Sequence, residues 1–321
     1  MERKYAVTNA EAAELDFDWG GDGSDLHKPV RAHVEAALVP TDDAYLAPLD
    51  QLLTIGNPLE VDDADQRIAQ LGFSQEHVPD LVRMARDRAL NTGPGDSNAI
   101  WAPIHALTAL ASLDASAYAA ELVPLFDVDS EWFGEDLPDL LGKVGQPALE
   151  PLRQYIQDTT RWQYGRWNAG TAVEQVAQQH PELRDQAVEI LSDVLVHAVD
   201  NDPETNGFIL GDLLQLNAVE ALPIIRSAFE QDLIDESIAG DWGEVLKALG
   251  QKVDQNDSVY LQTHARKNAK KAEMRALMPA LTRDAFQPTT HASSRSTTSS
   301  RHKNKRKAAA AARKANKKKR K

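Results

Sequence analysis

The sequence predicts an all-α protein, an α-solenoid of stacked helical hairpins. Three observations lead there: apolar residues recur almost everywhere at helical spacing, a short motif repeats along the chain, and proline opens one segment after another at a rough period. In "IWAPIHALTALASL" the residues Ile100, Ile104, Leu107 and Ala111 form one stripe, and in "DQAVEILSDVLVHAV" Val188, Leu191, Leu195 and Ala198 form another. Runs alternating apolar and polar, which would signal half-buried strands, are scarce.

The repetition is visible when Trp101–Ala111, "WAPIHALTALA", is laid over Trp167–Ala177, "WNAGTAVEQVA": Trp, Ala, two aliphatic positions and a closing Ala fall in register at an offset of 66, about two units of 33. Proline then marks helix starts at Pro48, Pro79, Pro124, Pro151 and Pro223, because a first helical turn has no partner for the N–H that proline lacks. With Glu189 taken as a start without proline, the five intervals from Pro48 to Pro223 cover 175 residues and average 35. Each proline is expected in the first turn of the second helix of a hairpin. A unit of this size with two helices cannot bury its apolar face alone, so neighbouring units stack. Intervals ranging from 27 to 45 suit HEAT-like repeats, whereas tetratricopeptide repeats keep a tight register and ankyrin repeats carry a "TPLH" turn absent here.

The stretch "LLQLNAVEALPIIRSAFEQDLIDESIAGDWGEVLKALG", Leu213 to Gly250, resembles the end of the repeat array in a group of bacterial HEAT-like proteins related to the phycobiliprotein-lyase type of HEAT repeat. A helix, an "NAVEA" turn and a "DESIxGDWxxV" segment recur together in that group, matched here by Asp235 to Val245. Some members carry a cysteine-rich zinc module of the SEC-C type at the C-terminus. This chain has no cysteine and holds a basic tail in that place.

Composition sets the boundaries. Residues 1–25 are acidic and Gly-rich and are expected to be irregular; residues 26–250 hold the repeats; 251–285 add one helix; 286–321, rich in Ser and Thr and then in Lys, Arg and Ala, lack core formers and are expected to be disordered. That last segment contains 13 of the 35 Lys and Arg and no acid, which leaves residues 1–285 with 22 basic against 49 acidic residues, a charge near −27. Such a body repels phosphate backbones while the tail attracts them. Contact with RNA, ribosome or DNA is therefore assigned to Lys303, Lys305, Arg306, Lys307, Arg313, Lys314, Lys317, Lys318, Lys319, Arg320 and Lys321, without sequence specificity, since no base-reading module is present. The alternatives for the same tail are a nuclear localisation signal and a solubilising arm that folds back on its own acidic body and needs no partner.

Chemistry is sparsely signalled. The absence of cysteine excludes disulfides and thiolate catalysis, and no two of the nine histidines sit at i, i+4. "GPGDS" lacks the lysine of a phosphate loop, and His105 reads as a packed helix residue. "DFDWGGDGSDLH" places Asp16, Asp18 and Asp22 as in a calcium loop but has His27 where a bidentate Glu is needed, so it reads as solvated acidic chain. No cofactor and no metal are expected. No stretch approaches the roughly 18 apolar residues of a membrane span, and the N-terminus lacks the apolar core of a signal peptide, so no membrane partner and a cytoplasmic location are expected.

One segment stands out, "RWQYGRW" from Arg161 to Trp167. Trp162, Tyr164 and Arg166 are the candidate protein-binding residues, because aromatic and guanidinium groups dominate binding hot spots and grooves between stacked hairpins receive peptides. Trp167, in register with Trp101, is expected in the core, with both buried at equivalent positions, while Trp162 and Tyr164 face solvent. The function read from these features is a non-enzymatic interaction scaffold with a polybasic arm. The alternative, an enzyme of the bilin-lyase or DNA-glycosylase type using Trp162, Arg166 and Trp167, conflicts in its glycosylase form with a body charged near −27.

Overall fold

The computed structural model describes residues 29–269 and 272, of which residues 29–267 belong to one compact unit. The acidic segment 1–25, the loop at Asp16–His27, most of 270–285 and the whole basic tail lie outside the described residues. Among the described residues the protein is all-α, and the one extended pairing is an isolated bridge between Val39 and Asp87.

Seven short helices come first: α1 Arg31–Ala37, α2 Leu52–Ile55, α3 Ala64–Gln70, α4 Val78–Ala85, α5 Arg88–Asn91, α6 Ala102–Leu110 and α7 Ala119–Leu122. Longer ones follow in α8 Glu131–Val144, α9 Gln146–Gln157, α10 Gln163–Gln179, α11 Arg184–Val196, α12 Pro203–Gln215 and α13 Leu222–Glu230, then α14 Glu236–Ala239 and α15 Trp242–Ala248. The helix expected within 251–285 begins at residue 258 and is described to 269.

Local chemistry explains many of the starts. Asp202, Asp235 and Asp241 each turn a carboxylate onto first-turn N–H groups of α12, α14 and α15, and Glu244 closes a capping box with Asp241. Pro79 and Pro223 occupy first turns of α4 and α13, and Pro124 the first turn of the 3₁₀ segment Val123–Asp127. Two expected starts are corrected. Pro48 directly precedes a single 3₁₀ turn, Leu49–Gln51, and Pro151 lies inside α9, whose first turn holds Pro147 instead. The reason for the second is Gly145, whose φ of 74° ends α8 and lets α9 begin a full turn before Pro151.

Packing runs in two sets. Helices α8, α10, α12 and α14 contact one another in succession, as do α9, α11 and α13, and each helix from α9 to α12 also packs on its neighbour in sequence. Ala169, Ala172, Val173 and Val176 of α10 are buried with Leu137 and Leu141 of α8 and Ile209, Leu210 and Leu213 of α12. Each large aliphatic side chain withdrawn from water in this way contributes about 1.5–3 kcal/mol. Side-chain hydrogen bonds also link segments far apart in the chain, among them 26 residues at Lys267–Asp241, 35 at Arg166–Asn201 and 41 at Thr171–Asp212.

The turn that launches α10 is held by a buried network. Asp127 accepts from Tyr155 Oη at 2.8 Å and from Arg161 Nη1 at 2.5 Å, and the Arg161 guanidinium lies 4.9 Å from the Tyr155 ring centre. Burial pushes the Asp127 carboxyl up, opposed by the Arg161 charge. The same device recurs near the start of the described chain, where Tyr45 donates to Asp87 at 2.8 Å beneath Arg83.

Two glycines show how tight this packing is. A Cβ on Gly165 would meet the Phe126 carbonyl oxygen at 2.5 Å and the Tyr155 hydroxyl, whereas one on Gly211 would meet nothing within 4 Å. Gly165→Ala is expected to destabilise by about 1–3 kcal/mol through overpacking, and Gly211→Ala to stabilise by roughly 0.5–1 kcal/mol through backbone entropy. Urea unfolding of both variants checks the opposite signs.

Candidate functional site

The N-cap and first two turns of α10 and the second turn of α12 bring four aromatic rings together. Trp162 and Tyr164 lie 5.4 Å apart, Tyr164 meets Trp167 edge-on at 4.5 Å, and Trp167 stacks on Phe208 at 4.0 Å with planes 25° apart. Trp167 is fixed from below: its Nε1–H donates to Thr205 Oγ1 at 2.8 Å, and Thr205 Oγ1 in turn donates to Asp202 Oδ2, the carboxylate that caps α12. Gln163 Nε2 reaches across to Glu204 at 2.9 Å. The cap, the hydroxyl and the indole thus set the rings rigidly.

Exposure within the cluster divides it. Tyr164 is 37% exposed and Phe208 36%, while Trp162 and Trp167 are 9% exposed. Trp162 therefore departs from its expected place in solvent: it sits in the core, with an indole N–H that has no partner among the described residues. Trp101 also departs, being only half-buried, because it precedes α6 as its N-cap while Trp167 lies a full turn inside α10. Trp101 packs instead edge-on against Trp132 of α8 at 5.8 Å.

Arg166 is 3% exposed and leaves the aromatic cluster. Its Nε donates to Ile156 O at 2.8 Å and its Nη2 to Asn201 Oδ1 at 2.5 Å, so it ties the end of α9 to the loop before α12. Burial holds its pKa below the ordinary guanidinium value. It borders a separate cleft of about 540 Å³ with Gln157, Asp193, His197 and Asp200, which none of the four rings lines. The trio Trp162, Tyr164 and Arg166 thus resolves into one buried ring, one exposed ring and one bridging cation. Lys303 and the other basic tail residues lie outside the described residues.

Acids gather beside the rings. Asp212 of α12 is buried, accepts from Thr171 Oγ1 at 3.4 Å through Oδ1, and has no hydrogen-bond partner for Oδ2. Gly170 makes room for it, since a Cβ there would come within 2.7 Å of Oδ2. Glu174, one turn further along α10, is buried too and accepts from Gln178. Burial pushes Asp212 well above the usual carboxylate range, with the Glu174 charge adding to the rise, and burial also raises Glu174. No cluster of three or more metal-ligating side chains occurs among the described residues.

Phe208, Asp212 and Glu174 escape the sequence reading. Their signal is an offset of 41, not 33: Gln163–Glu204 and Thr171–Asp212 keep it, and so do Trp167 and Phe208. Compared with protein-family models, with curated proteins and with solved structures, the chain matches none of them.

The buried acid makes a pH prediction. A carboxyl whose pKa is raised by folding binds its proton more tightly in the folded state, so its contribution to stability falls as pH rises above the ordinary Asp value of about 3.9. Asp212→Asn removes that fall. Relative to the unaltered protein, the variant is expected to gain stability progressively from pH 4 to pH 8, read as the difference in urea midpoint at each pH.

Proposed function

We propose that the chain is a non-enzymatic interaction scaffold, a HEAT-like α-solenoid that binds another protein across the solvent-facing side of α8, α10 and α12. The alternating contacts of helices two apart support the stacked-hairpin arrangement. The resemblance of Leu213–Gly250 to HEAT-like arrays agrees with it. One observation carries the binding role: the Tyr164–Trp167–Phe208 stack bridges two successive helices, with both outer rings exposed and the middle one anchored. Rigid, partly exposed aromatics supply contact area at low entropic cost, as binding hot spots require.

The expected result is that Tyr164→Ala with Phe208→Ala leaves the helical circular dichroism unchanged but removes a specific protein from those captured out of a native lysate. An unchanged captured set would move the binding surface elsewhere.

The polybasic segment 286–321 is proposed to contact RNA or DNA through phosphates, in the cytoplasm. Neutralised phosphates release counterions, so filter binding of single-stranded RNA by the full chain is expected to weaken steeply between low and physiological salt, with little dependence on base sequence. A chain ending at Asp284 is expected to lose the binding, because residues 1–285 carry a charge near −27. Undiminished binding by that shorter chain would place a cationic groove on the body.

A further inference from the structure

We infer that the cleft bordered by the ends of α9 and α11 and by Arg166 of α10 is a binding site for a small zwitterion of the amino acid class, its carboxylate on Arg166 and its ammonium group on Asp200. The site is separate from the aromatic surface, and the inference goes beyond the scaffold reading. Its first support is a buried cation without a counter-ion. Arg166 is 3% exposed, yet both of its acceptors are neutral, Ile156 O for Nε and Asn201 Oδ1 for Nη2. The acids that act on it from a distance are engaged elsewhere: Asp202 accepts from Thr205 and Gln163, and Asp158 from Thr160 and Arg161. Arg161, near the same turn, shows the usual arrangement, with Asp127 and Asp158 both at its guanidinium. A buried charge is ordinarily paired, and one left alone is costly. Nη1 of Arg166 has no acceptor among the described residues, and Arg166 lines a cleft of about 540 Å³. A carboxylate entering that cleft supplies the missing partner through a charge-assisted hydrogen bond.

The second support is the charge around that cation. Asp193 also lines the cleft but is held by Arg153 at 2.7 Å. Asp200 is exposed, and its one charged neighbour among the described residues is the His197 ring at 3.9 Å, beyond hydrogen-bond reach. A ligand with negative charge alone, phosphate above all, meets Arg166 but is repelled by both carboxylates. A ligand with positive charge alone meets Asp200 but is repelled by the guanidinium. One small molecule carrying both charges answers both groups.

The third support is the remaining lining. Val194, 3% exposed, gives a methylene stem an apolar contact, and Gln157 and Thr159 add an amide and a hydroxyl at the exposed rim. A cleft with a partly apolar wall and a few polar groups that fix orientation is the ordinary form of a small-molecule site.

The test titrates the full chain with glycine, β-alanine, γ-aminobutyrate and ε-aminohexanoate, a series in which the two charges move apart. Butyrate, butylamine and inorganic phosphate, each with one kind of charge, run beside them. At least one amino acid is expected to bind with a Kd of about 1 mM or tighter, within reach of ligands of this size, and at least about tenfold more tightly than each single-charge probe. In amide NMR spectra the Asn201 side chain, which bonds Arg166, is expected to shift on saturation. Asp200→Asn is expected to weaken that amino acid by about tenfold, as loss of one charged hydrogen bond implies, and to leave butyrate within about twofold. Asp185→Asn, which removes an exposed charge from α11, is expected to leave both within about twofold. Arg166→Met is expected to abolish both; if circular dichroism shows that variant unfolded, Asp200→Asn and the Asn201 signal decide. Absence of amino acid binding at that level, butyrate or phosphate binding equally well, or equal effects of Asp200→Asn and Asp185→Asn would each overturn the inference.

Discussion

Everything in the central part of this molecule depends on α10 being packed from two sides at once. Its Ala and Val residues are buried against α8 on one flank and α12 on the other, and the approach is close enough that Gly134 of α8 and Gly170 of α10 have no room for a methyl group. The helix before it must end sharply and the chain must return within a few residues. The Asp127–Tyr155–Arg161 network does this work by binding the α9–α10 turn to the segment ahead of α8. A buried carboxylate holding a phenol and a guanidinium satisfies groups that would each be costly to bury alone.

The same close packing creates the site. Because α10 and α12 run together at a constant offset of 41 residues, what projects from one helix meets a matching position on the next. Trp167 meets Phe208, Gln163 meets Glu204, and Thr171 meets Asp212. The first pairing produces a rigid aromatic surface; the last leaves a carboxyl oxygen buried without a partner. Helix packing and the aromatic surface thus come from one register, and the part of the seam with an unsatisfied acid is where that register serves stability least well.

Electrostatics adds a second level of organisation. Arginines in this body largely serve as ties between layers: Arg86 to Glu121, Arg153 to Asp193, Arg184 to Glu220 and Arg226 to Asp257. Each is worth little by itself at an exposed position, yet their placement consumes positive charge at the layer junctions.

Helical periodicity, proline and acidic caps are local features, so the sequence by itself determined the helical class and many helix starts. Pro151 misled because the sign that α9 begins earlier is the left-handed turn at Gly145, which proline spacing does not report. The importance of "RWQYGRW" was also legible, since three aromatics in seven residues are conspicuous. Which of them reach solvent was not. Trp162 is the non-helical N-cap ahead of α10 and Tyr164 lies in its first turn, and which of the two rings reaches solvent is decided by where the neighbouring helices pack. Arg166 likewise found its partners, Ile156 O and Asn201, through the position of the neighbouring layers. Phe208, Asp212 and Glu174 are ordinary in sequence; only the tertiary structure groups them, because packing brings residues 41 apart into contact and burial raises the Asp212 carboxyl above the usual carboxylate range.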